Sequence, residues 1–127
     1  AYSQVNPIKD QIAILQCTST YPSAFSEVHL NVLQTFIKKF PDTVIGYSGH
    51  EEGISASVLA GLKDIQLIER HFALDKDLKV HHIKSALLPE EFLEMKKTIT
   101  EINKENKDYT KGSSPGEKIF LKKKIYK

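Results

Sequence analysis

Apolar residues follow two alternating rhythms along the chain. Three short runs rich in aliphatic and β-branched residues, about 12–18, 43–48 and 65–71, predict β-strands. Between and after them, apolar positions fall at helical spacing. The turn at Asn6 and Pro7 leads into the first run, and Tyr21, Pro22 and Ser23 break the chain after it. Ser26 is expected to open an amphipathic helix in which Val32, Leu33, Phe36, Ile37 and Phe40 share a face. Lys38 and Lys39 suit the negative end of that helix, and Pro41 stops it. Gly49 and Gly53 bracket a loop, followed by a short helix over 54–62. A mixed loop over 73–88 then leads to a final helix over about 89–105. Pro89 fits its first position, Glu90 and Glu91 favour its positive end, and Phe92, Met95, Ile99 and Ile102 mark its apolar stripe.

Alternating strands and helices call for a parallel sheet with right-handed crossovers. Three strands do not close a (β/α)₈ barrel, which takes about 250 residues. The expected sheet therefore leaves one apolar face and both edges open. Beyond Asn106 the sequence turns polar. It divides into a packed portion, 1–108, and a linker with a basic tail, 109–127, where Lys111 to Gly116 has linker composition.

Composition narrows the class without naming a function. The 127 residues are 40% hydrophobic and 27% charged, ordinary for one globular domain, and the net charge of +2 gives no case for nucleic acid. No apolar run approaches the ~20 residues of a membrane span. Residues 1–4 lack the basic and apolar regions of a signal peptide and the initiator Met, so a piece of a longer protein is expected. The single cysteine, Cys17, excludes a disulfide framework, fits a reducing cytoplasm, and is expected to be a buried structural thiol.

The candidate chemistry lies at strand ends. His50 and His71 each follow an apolar run. On adjacent parallel strands, roughly 4.8 Å apart, both imidazoles would emerge at the carboxyl edge, where βα folds place their sites. Glu51 and Glu52 read as surface charges at a helix start, and Arg70 as half of a structural ion pair. His29 reads as a surface residue on a helix, and His81 and His82 as solvated loop residues.

Several stretches together resemble the sialic acid synthase (N-acetylneuraminate synthase) family. They are Leu15-Gln16-Cys17-Thr18-Ser19-Thr20-Tyr21-Pro22, Phe40-Pro41-Asp42, Ile45-Gly46-Tyr47-Ser48-Gly49-His50-Glu51-Glu52-Gly53-Ile54, Glu69-Arg70-His71-Phe72 and Leu74-Asp75-Lys76. The wording around His50 is closer to the animal-type enzymes. The resemblance covers roughly residues 5–103 and implies a partial TIM (β/α)₈ barrel, these strands being its last three. It implies condensation of phosphoenolpyruvate with N-acetylmannosamine or its 6-phosphate, giving N-acetylneuraminate or its 9-phosphate and phosphate. It also implies a divalent metal, Mn²⁺ or Mg²⁺, and a cytoplasmic, homodimeric parent with small-molecule substrates and neither nucleic acid nor membrane as partner.

Carried over by position, His50 and His71 resemble metal ligands, and Ser19 and Ser48 resemble phosphoenolpyruvate-binding hydroxyls. Tyr21 and Glu69 fall on the sugar side. His82 stands where the family has an Asp expected to bind sugar hydroxyls, Ile83 where it has a His, and Ala86 where it has a Ser. These changes bear on the sugar half of the site, and two imidazoles are a sparse ligand set from which the ion could have been lost. The family's phosphate-binding cations come from earlier strands, so the chain alone is expected to be inactive. The alternative from another class is a non-catalytic, degenerate barrel fragment that associates through its uncovered sheet face.

Overall fold

The computed structural model describes residues 12–105. The turn at Asn6 and the linker and basic tail, 109–127, lie outside the described residues. Three parallel strands, β1 (Ala13–Cys17), β2 (Val44–Gly49) and β3 (Leu67–Arg70), form one sheet with β2 at its centre. Helix α1 (Val32–Lys39) connects β1 to β2, α2 (Ser55–Ala60) connects β2 to β3, and α3 (Pro89–Glu105) follows β3. The register pairs Leu15 with Gly46 and Cys17 with Ser48 on one side of β2. On the other side, Gly46 pairs with Leu67 and Ser48 with Glu69.

Alternation along the strands gives the sheet two unlike faces. Ile45 and Tyr47 point into a core completed by Val28, Leu33, Ala56 and Ala60, all at most 1% exposed. The opposite face carries Leu15, Cys17, Val44, Gly46, Ser48, Leu67 and Glu69. There Val44 and Leu67 remain 43% and 42% exposed. A closed barrel fills this face with side chains from its other strands. Gly46 leaves the space that Leu15 and Leu67 occupy from either side: a Cβ at this position would lie 2.7 Å from the Leu67 carbonyl oxygen.

The strands and the final helix follow the predicted pattern, and α3 spans 89–105. Its first turn is closed by half of a capping box, the Leu88 N–H donating to the Glu91 carboxylate at 2.7 Å. The N–H bond holds the Glu91 carboxyl below the usual carboxylate range, with Lys76 adding to the effect against a smaller opposing push from burial.

Five local expectations are corrected. Helix α1 begins at Val32 rather than near Ser26. Residues 25–27 instead form a 3₁₀ turn, and His29 adopts the left-handed conformation (φ 51°), which interrupts an α-helix. His29 is therefore not helical, although it is exposed as expected. Helix α2 is confined to 55–60. Its exit tightens through Leu62 N–H to Leu59 O and Lys63 N–H to Ala60 O before Asp64 turns left-handed (φ 57°). Cys17 is exposed, because it lies on the open face of an edge strand. Finally, Glu51 is only 3% exposed and is no surface charge.

Candidate functional site

The carboxyl edge of the sheet gathers four rings. His50 directly follows β2 and His71 directly follows β3, and their ring centroids lie 5.2 Å apart. Tyr21, from the loop after β1, tilts against His50 at 4.2 Å and meets His71 edge-on at 5.8 Å. His82 reaches in from the loop before α3 and packs on Tyr21 at 3.7 Å, with His71 at 5.6 Å. His82 holds the left-handed conformation (φ 63°), uncommon for a residue with a side chain, and its carbonyl accepts the Ser85 N–H at 2.9 Å. His82 is a loop residue, as read from the sequence, and one whose ring is committed to a stack.

His50 is oriented by its surroundings. The residue is 6% exposed, and its Nδ1 lies 2.8 Å from the Thr18 carbonyl oxygen. A carbonyl only accepts, so that contact assigns the proton to Nδ1 and leaves Nε2 with its lone pair for a ligand. Cys17 Sγ lies 3.9 Å from the same Nδ1. Burial lowers the His71 pKa from its ordinary value, and the His50 and His82 rings add to this against a pull from Glu69. Burial and the neighbouring rings thus favour neutral imidazole at His71, the form that binds metals. Ring nitrogens bind divalent ions at about 2.1 Å, so two rings at this spacing can share one ion. Among the described residues, no group of three or more His, Cys, Asp or Glu is arranged to hold a metal ion. Two imidazoles alone would leave the remaining coordination positions of an ion to substrate and water.

The other sequence-predicted residues divide into a pair and an outlier. The Ser48 hydroxyl donates to the Glu69 carboxylate at 2.7 Å, across the register that pairs β2 with β3. Ser19 is exposed on the loop after β1, and no hydrogen bond or ring contact joins it to the other candidates among the described residues.

Beneath the rings lies a buried polar cluster that the sequence reading did not assemble. Arg70 and Glu51 form an ion pair at 2.9 Å, with side chains 0% and 4% exposed. Glu51 also accepts from the Ser57 hydroxyl at 2.7 Å, the Ser57 N–H at 3.0 Å and the Tyr47 hydroxyl at 2.9 Å. Burial, reinforced by Glu51, pushes the Tyr47 phenol well above its ordinary range, so it stays protonated and donates. Arg70 was correctly read as half of an ion pair. The signal for its partner was a carboxylate two residues past a strand, in alternation with Ile45 and Tyr47, whose side chains face the helices.

Residues 3–111 match the NeuB family. The chain is 41% identical over 98 residues to human N-acetylneuraminate-9-phosphate synthase, covering 77% of this chain and 27% of that protein. It is 36% identical over 109 residues to the N,N'-diacetyllegionaminic acid synthase of Campylobacter jejuni, covering 86% of this chain and 32% of that protein. The chain thus spans about a quarter to a third of the relatives it matches. Among solved structures, the spore coat polysaccharide biosynthesis protein spsE of Bacillus subtilis superposes with a TM-score of 0.72 at 36% identity, covering 84% of this chain and 30% of that one. A sialic acid synthetase from Leptospira borgpetersenii shares the fold, with a TM-score of 0.71 at 24% identity over 90% of this chain and 40% of that one.

Proposed function

The chain belongs to the NeuB family, and from that membership we propose that it forms the metal-holding, carboxyl-edge portion of a sialic acid synthase. The reaction is condensation of phosphoenolpyruvate with N-acetylmannosamine or its 6-phosphate. The observation that carries this reading is the convergence of His50 and His71 at the ends of adjacent parallel strands, with His50 Nε2 left free by the bond to Thr18.

His50 and His71 would hold a divalent ion, Mn²⁺ or Mg²⁺, which when bound polarises a substrate carbonyl oxygen. The chain's own residues supply orientation. Ser19 offers its hydroxyl to the phosphoenolpyruvate oxygens without adding charge; Ser48, whose single O–H donates to Glu69 in the free chain, would turn it to those oxygens on binding and leave the Glu69 carboxylate to accept from a sugar hydroxyl. Tyr21 provides a ring face at the sugar side, with His82 packed on it. An imidazole in place of a carboxylate offers at most one acceptor, so the His82 position recognises a different hydroxyl pattern from that of an Asp. Phosphate charge needs Lys or Arg close by, and the rings and hydroxyls of this edge provide none. We therefore expect no synthase turnover from this chain by itself.

Titration of Mn²⁺ into the chain, with and without phosphoenolpyruvate, tests the reading. Saturable binding that His71→Ala weakens at least about tenfold supports it. Equal binding by the two proteins overturns it. A second reading, a non-catalytic module that associates through its sheet, draws support from the exposure of Val44 and Leu67. Sedimentation at micromolar concentration decides that one, and a monomer without dye-accessible apolar surface removes it.

A further inference from the structure

We propose that Arg70, Glu51 and Ser85 act as a positioning hub that sets the spacing of the Tyr21, His50, His71 and His82 rings. The inference rests on the reading of those rings as the site, and concerns what holds them in place.

Glu51 directly follows His50, and Arg70 directly precedes His71. The Arg70 guanidinium reaches three separate segments. One terminal nitrogen donates to Glu51 Oε1 at 2.9 Å, to the Ser57 hydroxyl at 3.0 Å and to the Gly53 carbonyl at 2.8 Å. The other donates to the Glu51 carbonyl at 2.7 Å and to the Ser85 carbonyl at 3.1 Å. Ser85 in turn donates its hydroxyl to the His50 carbonyl at 2.7 Å. That carbonyl also accepts the N–H of Ser23, two residues past Tyr21, at 3.0 Å. The His71 carbonyl accepts the Leu87 N–H at 2.8 Å, fastening the His82 loop a second time.

Each ring is therefore tied to the hub through a short piece of backbone. Tyr21 connects through Ser23, His50 through its own carbonyl, His71 through its peptide bond to Arg70, and His82 through Ser85. The hub residues are at most 9% exposed, so they act through the rings rather than on substrate. A buried ion pair is weak evidence for stability, since apolar residues of similar volume often replace one without loss. A planar fork of donors joining separate loops offers what an apolar pair does not, a fixed relation between those loops.

Two substitutions separate positioning from mere core stability. Ser85→Ala removes only the hydroxyl bond to the His50 carbonyl. Arg70→Lys keeps the charge and the stem but replaces the fork with one nitrogen. Leu33→Val, on the buried side of α1 and away from the hub, serves as the stability control. Ring-to-ring nuclear Overhauser contacts, Tyr21 to His82 and His50 to His71, are measured in the metal-free full chain, alongside urea unfolding and Mn²⁺ titration.

Ser85→Ala and Arg70→Lys are expected to lose at least half of both ring contacts. Where the unsubstituted chain binds Mn²⁺, they should also weaken it by about tenfold or more, as outer-shell changes do. Leu33→Val should lower the urea midpoint and leave the ring contacts unchanged. The proposal is overturned if the ring contacts are absent from the unsubstituted chain, survive in Ser85→Ala, or disappear equally in Leu33→Val. If Arg70→Lys does not fold, Ser85→Ala decides. Hub-dependent ring contacts in a chain that binds no Mn²⁺ would remove the metal reading and leave the positioning hub standing.

Discussion

The two faces of the sheet are drawn from the same strands, yet only one is finished. On the helix side, Ile45 and Tyr47 are each 1% exposed and pack on Leu33, Ala56 and Ala60. On the other side, Val44, next to Ile45 on β2, and Leu67, at the start of β3, keep more than 40% of their surface exposed. A parallel sheet is normally covered on both faces, by helices outside and by facing strands within when it closes into a barrel. The contrast shows that this chain carries a complete helix layer and an open strand layer, while spanning 27% of its human relative. The candidate site lies at the carboxyl edge where the two layers meet. Its rings draw their fixed geometry from the finished side, through the buried Arg70–Glu51 pair.

The contrast can be broken or sharpened by substitution. The largest loss is expected from Arg70→Met, which strands the Glu51 carboxylate in the interior. A buried pair broken from one side costs about 3–5 kcal/mol, so the urea midpoint should fall steeply. A surviving midpoint would mean that the pair is solvated. Ile45→Ala, on the finished face, should cost about 2–5 kcal/mol through lost burial and a residual cavity. Gly46→Ala tests the place where the open face is nonetheless crowded, since the new methyl meets the Leu67 carbonyl oxygen. A loss of about 1–3 kcal/mol is expected. Leu67→Ala, one step along the same face, should change stability by less than about 1 kcal/mol, because much of that side chain already contacts water. A loss as large as that of Ile45→Ala would show the open face to be covered in solution.

The smallest effect is expected from Glu91→Gln, at the start of α3. The Leu88 N–H and Lys76 lower the Glu91 pKa in the folded chain, so its ionised form favours folding. That contribution is fully present above the ordinary value of 4.5 and is lost as pH falls through the lower, folded value. The side chain is about one-third exposed, so the gap between the two proteins should be no more than about 0.5 kcal/mol at neutral pH. Unfolding measured from neutral pH downward should show the gap closing in acid.

The order of elements was legible because its causes are local. β-branched runs, helical spacing and the Pro89 start each act over a few residues, and they placed three strands and α3 within two residues of their observed bounds. His50 and His71 were legible for the same reason, as both stand at the ends of such runs. What sequence spacing missed depended on what lies opposite. Cys17 was expected to be buried, but an open sheet face leaves it exposed. Glu51 was expected at the surface, but Arg70, 19 residues away, draws it inside. The family position put His82 on the sugar side with Tyr21, but nothing in its own loop foretold the contact between the two rings.

Sequence alone thus determined the βα order, the parallel sheet and two imidazoles at its carboxyl edge, since each follows from short-range periodicity and from the family motifs. Only the tertiary structure decided which charges are buried, which face stays open and what holds the rings together. Those properties belong to pairs of residues far apart in the chain, brought into contact when the helix layer closes over one side of the sheet.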